Sequence, residues 1–453
     1  HRRCDRLNSS LIEEKVIDAN SVLEAFGNAR TQRNDNSSRF GKLIHAEYSR
    51  EGDLIGAAFE TFLLEKNRVF GGGERDGGTF HIFRDVWDSL SREGGIPRSS
   101  SRGWERYFLT GMTWRDFRMT CGGRGDDDGS TTSRDGTNNE KTKRRDLTEA
   151  LHSLGFSDKD VHNITSIVIA CLHSSNVTFL TSSDESHLDR NNPHLLPFLS
   201  LLGLSPSHTS QLESILCRQS LTVRDDDDDG GKNRRRSAGV NVVTRVRPRD
   251  AAERSLRSLV TGLYQSLFRW IVRRVNGRVS AVVPPSLRRE EGIRFTEHVP
   301  VSAAARISIL DVFGFESFDG GAGGNSLEQF CINYCNEVLQ RQFHTALFRN
   351  VQDYYDAEGI QWNPILPTAN DDVLDLIHKK NTGILHLLDD SVKNPHGSDK
   401  TFAVELYNTH YSRRSNPKAP FRATPRQVAT KRFTVRHYAG MVVEYDISGF
   451  VEK

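Results

Sequence analysis

Two short stretches of this sequence carry the side chains with the clearest chemical potential. The first, RNDNSSRFGKL at residues 33–43, places two neighbouring hydroxyls and a guanidinium on one polar turn. In the second, ILDVFGFESF at residues 309–318, Asp311, Gly314 and Glu316 follow a short apolar run. Hydroxyl and carboxylate oxygens are ligands of Mg²⁺, while guanidinium groups and glycine N–H groups bind phosphate oxygens. Together the two stretches fit a magnesium–triphosphate site.

Each stretch also has a simpler interpretation. Ser, Asn and Asp bend a chain by hydrogen bonding to its backbone, so the first stretch is also typical of an ordinary polar loop. An aspartate at a strand end, such as Asp311, most often caps its own turn. The presence of both stretches in one chain favours the ligand site over two unrelated turns.

The composition limits the classes of protein to consider. The chain has 453 residues, which suggests two or three subdomains. It has 61 basic and 59 acidic residues, so a charged partner such as nucleic acid would have to be met by a local patch. The six cysteines include no CxxC pair, which favours a reducing, intracellular compartment. No apolar run approaches the roughly 18 residues of a transmembrane helix, so we expect no such segment.

Apolar periodicity predicts the main helices. Leu and Val residues recur at three- and four-residue steps over residues 252–276, which predicts a long amphipathic helix. Similar steps predict helices at residues 147–154 and 158–172, and Gly155 ends the first of them.

A strand, a polar turn and a helix are predicted in succession around the second stretch. The apolar run at residues 307–310 predicts a buried strand that ends at Asp311. Ser326 and Gln329 have the spacing of a capping box and open the helix. This order suggests an α/β sheet, whose ligands bind beyond the carboxyl ends of the strands.

Four polar, low-complexity segments interrupt these elements. They span residues 71–78, 121–145, 224–237 and 411–427. Their dense charge and glycine content, without apolar periodicity, predicts surface loops or disordered insertions.

The two site stretches resemble switch I and switch II of the myosin motor domain. LEAFGNARTQRNDNSSRFGK at residues 23–42 is similar to switch I, and ILDVFGFESF to switch II. Other segments occur in the family's order: FETFLLEKNRV, the upper-domain helix LYQSLFRWIVRRVN, the relay helix NSLEQFCINYCNEVLQRQF, the actin-facing hairpin GILHLLDDSVKNPHGSDKTFAVEL, and FTVRHYAGMVVEYDISGFVEK. The resemblance extends from about Leu11 to Lys453, apart from the polar segments.

Two other classes fit less well. A kinesin-type motor also has SSR in switch I, but there a His typically follows SSRS, whereas FGK follows SSR here. A dinucleotide-binding enzyme would need GxGxxG between a strand and a helix, which this sequence lacks.

The resemblance implies an α/β fold. We expect a P-loop NTPase-type mixed central sheet flanked by helices, with largely helical upper and lower subdomains. Residues 1–70 would form the nucleotide-site region with switch I, and 71–305 the upper subdomain of the actin cleft. Residues 306–350 would form the switch II strand and relay helix, and 351–453 part of the lower actin-binding subdomain.

The resemblance also implies roles for the switch I residues. Asn34 and Asn36 would contact the nucleotide, Asn34 on its phosphate side. The Ser37 hydroxyl would lie near the γ-phosphate and the attacking water, and Ser38 would ligate Mg²⁺. Arg39 would belong to the catalytic set.

The switch II residues receive matching roles. Asp311 would hold a Mg²⁺-bound water, and Gly314 would donate its N–H to the γ-phosphate. Glu316 would pair with Arg39 when both switches close, and thereby position the water. Mg²⁺ and ATP are the cofactors that the resemblance implies, and phosphoryl transfer needs mainly such positioning and charge stabilisation.

The sequence departs from the family pattern in one respect, because no GxxxxGK(S/T) P-loop precedes switch I. We therefore expect an internal fragment of an actin-activated ATPase motor, without P-loop, converter and lever, that is inactive alone. Actin filaments are the expected partner in the cytoplasmic cytoskeleton, with light chains bound only through downstream segments and no nucleic acid. The alternative is a non-catalytic, truncated product that acts at most as an actin-binding module.

Overall fold

The computed structural model describes residues 2–31, 34–70, 78–94, 105–120, 147–182, 185–224, 240–279, 305–318, 325–363, 370–394, 396–411 and 419–451. These residues form two compact units, His1–Asp311 and Val312–Lys453, and each is considered by itself below. Arg33 and the polar segments at residues 71–77, 121–145 and 225–237 lie outside the described residues.

Helices and strands are numbered separately along the chain. The helices are α1 (Arg2–Gly27), α2 (His81–Gly94), α3 (Leu147–Ser153), α4 (Asp158–Ser174), α5 (Leu195–Leu201), α6 (Thr209–Cys217), α7 (Arg249–Val279), α8 (Leu327–His344), α9 (Asn350–Ala357), α10 (Asp371–His378), α11 (Ile384–Lys393), α12 (Asp399–His410) and α13 (Pro425–Ala429). The strands are β1 (Asn28–Ala29), β2 (Ser37–Ser38), β3 (Gly41–Tyr48), β4 (Leu54–Phe62), β5 (Phe179–Ser182), β6 (Glu185–Leu188), β7 (Arg218–Arg224), β8 (Val240–Val246), β9 (Ala305–Asp311), β10 (Phe421–Arg422), β11 (Arg432–Arg436) and β12 (Val442–Asp446).

The long helix α7 runs through the core of the first unit, as its periodicity predicts. Tyr264 is fully buried, donates to Phe26 O at 2.6 Å and stacks on Phe80 with ring centroids 5.1 Å apart. Asn276 donates to and accepts from the backbone of Phe59, with both distances 2.8 Å. Because these bonds are buried, they fix α7 against the end of α1 and against β4.

The two shorter predicted helices are confirmed as α3 and α4. Gly155 has φ +76°, a left-handed conformation that favours glycine at the end of a helix. Ser157 caps α4, since its hydroxyl accepts from Asp160 N at 3.2 Å.

The strand that carries Asp311 exists, but the prediction that it is buried is wrong. Strand β9 lies at the edge of a three-stranded sheet of order β4-β3-β9, and all of its residues are exposed. Ile309, for example, is 57% exposed. An apolar run indicates that a strand can be buried, but neighbouring strands decide whether it is buried. Within the described residues β9 pairs with β3 alone, so it forms an edge of the sheet.

The named strands pair with one another in antiparallel orientation, and one isolated bridge in the described residues, Asn325 with Tyr445, is parallel. Strand β3 pairs antiparallel with both β4 and β9, and the remaining sheets are short antiparallel ribbons and a three-stranded meander. The chain therefore combines helix and sheet as expected, while the mixed P-loop NTPase-type arrangement stays a prediction.

The second unit is built around Phe330 of α8. This fully buried ring contacts Tyr445 of β12 and Phe433 of β11, with centroids 5.1 and 6.0 Å away. The predicted capping residues open α8, since the backbone N–H of Ser326 donates to the side chain of Gln329 at 3.0 Å. A π-helical turn at Thr345–Arg349 then joins α8 to α9.

The predicted helical hairpin in the second unit is confirmed as α11 and α12. Ser398 caps α12, since its hydroxyl accepts from Thr401 N at 3.2 Å. A Cβ on Gly397 would lie 1.8 Å from Ser391 O, so the connection between the helices requires glycine.

One segment predicted to be a loop contains regular structure. Within residues 411–427, β10 pairs with β11, and Thr424 opens the short helix α13. Phe421 is 8% exposed and stacks on Phe433 at 5.8 Å. This aromatic contact attaches the described residues 419–427 to the core of the second unit, where the polar composition predicted a loop, while residues 412–418 lie outside the described residues.

None of the described helices is long and apolar enough to cross a bilayer.

Candidate functional site

The hydroxyl-bearing loop is a tight hairpin that continues from α1. Strands β1 and β2 pair so that Asn28 lies opposite Ser38. Asn34 closes the turn, because its side-chain oxygen accepts from Asn36 N at 2.9 Å and its carbonyl accepts from Thr31 N at 2.8 Å. Asn34 therefore has the backbone-bending role of the simpler interpretation, and the ligand role of the loop stays a prediction.

Asn36 anchors this hairpin to the neighbouring helices. Its side-chain oxygen accepts from Asn28 Nδ2 at 3.0 Å and lies 3.1 Å from His81 Nε2, at the start of α2. The nucleotide contacts expected of Asn34 and Asn36 stay predictions.

The two hydroxyls differ in how firmly the protein holds them. Ser37 Oγ accepts from Arg39 Nη1 at 3.2 Å. Ser38 Oγ lies 3.5 Å from Phe40 O, the upper limit for a hydrogen bond. Rotation of the Ser38 hydroxyl toward a bound ligand would therefore break only this weak hydrogen bond.

Arg39 is held by both its backbone and its side chain. Its N–H donates to Gly27 O at 2.8 Å, and its carbonyl accepts from Glu65 N at 2.9 Å. Its Nε donates to Glu65 Oε2 at 2.5 Å, and Arg68 Nε donates to the same oxygen at 3.1 Å. Two buried guanidinium groups thus share the Glu65 carboxylate, and Arg39 is fixed beside Ser37.

Asp311 lies across the sheet from a buried lysine. Lys42 of β3 and Asp311 of β9 are opposite in register, with Nζ 3.5 Å from Oδ2. Lys42 is 8% exposed and also donates to Asn20 Oδ1 at 2.6 Å. The Asp311 side chain is 54% exposed, so the carboxylate is both oriented and accessible.

The remaining predicted residues lie in the turn that begins the second unit. A Cβ on Gly314 would meet no described atom within 4 Å, so the protein's own packing does not require glycine and leaves room for a ligand. Glu316 is bonded through its backbone to Asn333, and its Oε2 accepts from Gln329 Nε2 at 3.2 Å. The expected Arg39–Glu316 pair would join the two units and stays a prediction.

Sequence reasoning did not identify the residues that hold this site in place. Glu65 and Arg68 have the spacing of an ion pair on one helical turn, within the segment that follows switch I. Lys42 lies within the hydroxyl stretch itself. Asn333 is a polar residue between apolar positions of a helix, a pattern that signals a buried hydrogen-bonded amide.

The described residues can supply some of the oxygen ligands that a Mg²⁺–phosphate complex needs. A Ser38 hydroxyl and an Asp311 carboxylate are the oxygen donors that Mg²⁺ takes, with its other positions filled by water and phosphate. Asn28 Oδ1, opposite Ser38 in the hairpin, is buried without a hydrogen-bond partner within the described residues. A buried acceptor without a donor fits a bound water at this position. Among the described residues no cluster of three or more His, Cys, Asp or Glu could hold a metal ion alone.

Comparison with known proteins identifies the family of this chain. The family model of the myosin head (motor domain) matches residues 2–453. This chain belongs to the myosin head family.

Several curated myosins are similar over nearly the whole chain. Unconventional myosin-VIIb of Mus musculus is 33% identical over 446 residues, covering 98% of this chain and 18% of the mouse protein. Myosin-VIIa of Drosophila melanogaster is 32% identical, again over 98% of this chain and 18% of its own length. Unconventional myosin-Ic of Aquarana catesbeiana is 30% identical over 98% of this chain and 38% of its own length. The chain thus spans well under half of these relatives.

Proposed function

We propose that this chain is part of an actin-based motor that couples Mg²⁺–ATP hydrolysis to movement of the actin cleft. The observation that carries this proposal is the hairpin at residues 34–40. There the Ser37 hydroxyl bonds a buried, doubly anchored Arg39, in a chain of the myosin head family. A buried guanidinium that holds a hydroxyl beside an anion site is what phosphoryl transfer requires.

Within the first unit, each residue has a separate task. Asn34 and Asn36 contact the nucleotide, and Ser37 orients the attacking water. Ser38 and Asp311 would hold the hydrated metal ion, with Ser38 as a direct ligand and Asp311 binding a metal-bound water. Bound Mg²⁺ would neutralise charge on the phosphate oxygens.

Arg39 and the turn of the second unit complete the proposed set. Gly314 donates its backbone N–H to the terminal phosphate. Arg39 and Glu316 position the water and exclude other solvent. Because these interactions match charge that develops in the transition state, they accelerate the reaction more than they tighten binding.

The type of central sheet and the division into subdomains are part of the same proposal. The three-stranded sheet would be part of a mixed P-loop NTPase-type sheet, with residues 1–70 as nucleotide region and 71–305 as upper subdomain. Residues 306–350 would carry switch II and the relay helix, and 351–453 part of the lower subdomain. Actin filaments in the cytoplasm are the proposed partner, with light chains on other segments of the parent and no nucleic acid.

A turnover assay tests the proposal. Because GxxxxGK(S/T) does not occur in these 453 residues, the chain by itself should show no actin-stimulated ATP hydrolysis. A longer head that includes such a loop should hydrolyse ATP. Ser38→Ala should then reduce turnover, while the exposed helix residue Ser266, changed to Ala, should not. Turnover by the 453-residue chain that Ser38→Ala abolishes would contradict the proposed inactivity.

The second candidate is a non-catalytic actin-binding module. Two observations favour it: the lack of that loop in this sequence and the intact hairpin of α11 and α12. A longer head with a phosphate-binding loop that binds actin filaments but never hydrolyses ATP would favour this candidate.

A further inference from the structure

A buried chain of polar side chains leads from the Glu316 turn into the core of the second unit. Asn333 of α8 is fully buried and contacts the turn twice. Its Oδ1 accepts from Glu316 N at 2.8 Å, and its Nδ2 donates to Glu316 O at 2.8 Å. One amide therefore satisfies both backbone groups of Glu316, a residue that lies outside any helix or strand.

The chain continues through the antiparallel sheet. Asn333 Nδ2 also donates to the hydroxyl of Tyr445 at 2.7 Å. That hydroxyl lies 2.7 Å from His437 Nε2, and His437 Nδ1 lies 3.0 Å from Glu337 Oε1. Asn333, Tyr445, His437 and Glu337 are each 3% exposed or less.

Glu337 lies at the inner end of this chain. Burial alone would raise the pKa of Glu337, but hydrogen bonds from His437, from Tyr438 N and from Asn370 hold it below its usual value. An ionised Glu337 accepts, so His437 donates to it through Nδ1. His437 Nε2 and Asn333 Nδ2 both contact the Tyr445 hydroxyl.

The backbone of Glu316 fixes the orientation of the Asn333 amide. The Glu316 N–H can only donate and its carbonyl can only accept, so Asn333 Oδ1 faces the N–H and Nδ2 faces the carbonyl. In this orientation Nδ2 also donates to the Tyr445 hydroxyl, so the sheet of the second unit adds a third contact that holds the amide in place.

We propose that Asn333 is a positioning residue for Glu316, and that the chain through Tyr445, His437 and Glu337 holds it in place. The catalytic consequence rests on the proposed function, since Glu316 is assigned there to the hydrolytic water. The positioning of Glu316 by Asn333 does not rest on the proposed function, because it concerns only hydrogen bonds within the second unit.

Hydrogen exchange of the full chain, without nucleotide, tests the positioning. The Glu316 amide owes its protection to Asn333, while the Phe318 amide, two residues on, donates to Asn325 Oδ1 at 2.8 Å. Asn333→Leu should accelerate exchange at Glu316 at least tenfold and leave Phe318 unchanged. Asn333→Asp keeps an acceptor for the Glu316 N–H and loses only the donor to Glu316 O and Tyr445, so it should accelerate exchange less. Tyr445→Phe keeps both bonds to the turn and should give a smaller acceleration.

A destabilised control separates positioning from general loosening. Phe402→Leu removes core contacts without touching the polar chain, so Glu316 should exchange as in the unaltered protein. Unchanged exchange at Glu316 in Asn333→Leu, or equal acceleration in Phe402→Leu, would overturn the proposal.

A kinetic measurement tests the link to catalysis. In a longer head that hydrolyses ATP, Asn333→Asp should lower kcat with little change in KM for ATP. An unchanged kcat would remove the catalytic consequence. A head without ATPase activity would contradict the proposed function and leave the exchange result standing.

Discussion

Arg39 and Glu65 form a buried ion pair in which Nε donates to Oε2 at 2.5 Å, with side chains 2% and 9% exposed. Arg68 shares the same carboxylate at 3.1 Å. The loop that carries Ser37 is therefore attached to the segment after β4 by charge as well as by backbone bonds. Glu65 holds Arg39 in place within the first unit, whatever further partner Arg39 meets.

Removal of the Glu65 charge should be costly for stability. Glu65→Gln would leave two buried guanidinium groups without their shared carboxylate, and breaking such a pair costs roughly 3–5 kcal/mol. Urea unfolding should show this loss. Asp88→Asn, which breaks an exposed ion pair with Arg84, should cost less than about 0.5 kcal/mol. Equal effects of the two substitutions would contradict the assigned role of Glu65.

Charge exchange tests the predicted Arg39–Glu316 pair. In a longer, active head, Arg39→Glu and Glu316→Arg should each lower turnover by about 100-fold, the rate equivalent of roughly 3 kcal/mol. The double exchange should recover only part of the lost turnover, because Arg39→Glu also places a second carboxylate beside Glu65. Steady-state kinetics of the four proteins gives the coupling energy, and additive losses would argue against the pair.

The first unit should lose stability in mild acid. His173 is buried, with Nδ1 3.0 Å from His194 Nδ1 and Nε2 3.1 Å from Tyr107 O. Burial lowers the pKa of His173 from 6.5 to about 4 and also lowers that of His194, which Asp116 and Arg118 affect in opposite directions. The contribution of neutral, buried His173 to the stability of the fold is complete above pH 6.5, and it is lost as the pH falls toward 4. We expect roughly 2 kcal/mol less stability at pH 5 than at pH 7.5 from His173.

Urea unfolding across this pH range, with two variants, measures that effect. His173→Gln should flatten the dependence of unfolding free energy on pH, even if it lowers stability at every pH. His208→Gln, at an exposed position, should leave the dependence unchanged. The same steep dependence in His173→Gln would assign it to other groups.

The hairpin of α11 and α12 should contribute a salt-sensitive contact with actin. Lys393 donates to Asp389 at 2.5 Å, which locally compensates its charge, so exposed Lys400 is the better candidate for steering. Lys400→Ser should weaken co-sedimentation with filaments at low salt. The difference should shrink at physiological ionic strength, where charges are screened beyond about 8 Å. Lys159→Ser, an exposed change in the first unit, is the control, and equal pelleting of the two variants would remove Lys400 from the contact.

The sequence by itself determined the local elements. Apolar spacing located α7, and the capping-box spacing of Ser326 and Gln329 located the start of α8, because each pattern depends on residues three or four positions apart. Composition located the hydroxyl turn for the same reason, since Asn and Ser bend the backbone beside them. The site residues were found through family resemblance, and their ligand roles stay predictions.

Only the tertiary structure decided what surrounds those elements. Glu65 reaches Arg39 across 26 positions, and Asn333 reaches Tyr445 across 112, contacts that no local pattern encodes. The exposure of β9 likewise depends on which strands lie beside it, not on its own apolar residues. Burial and hydrogen-bond partners are set by packing between distant segments, so they become known only when those segments are placed together.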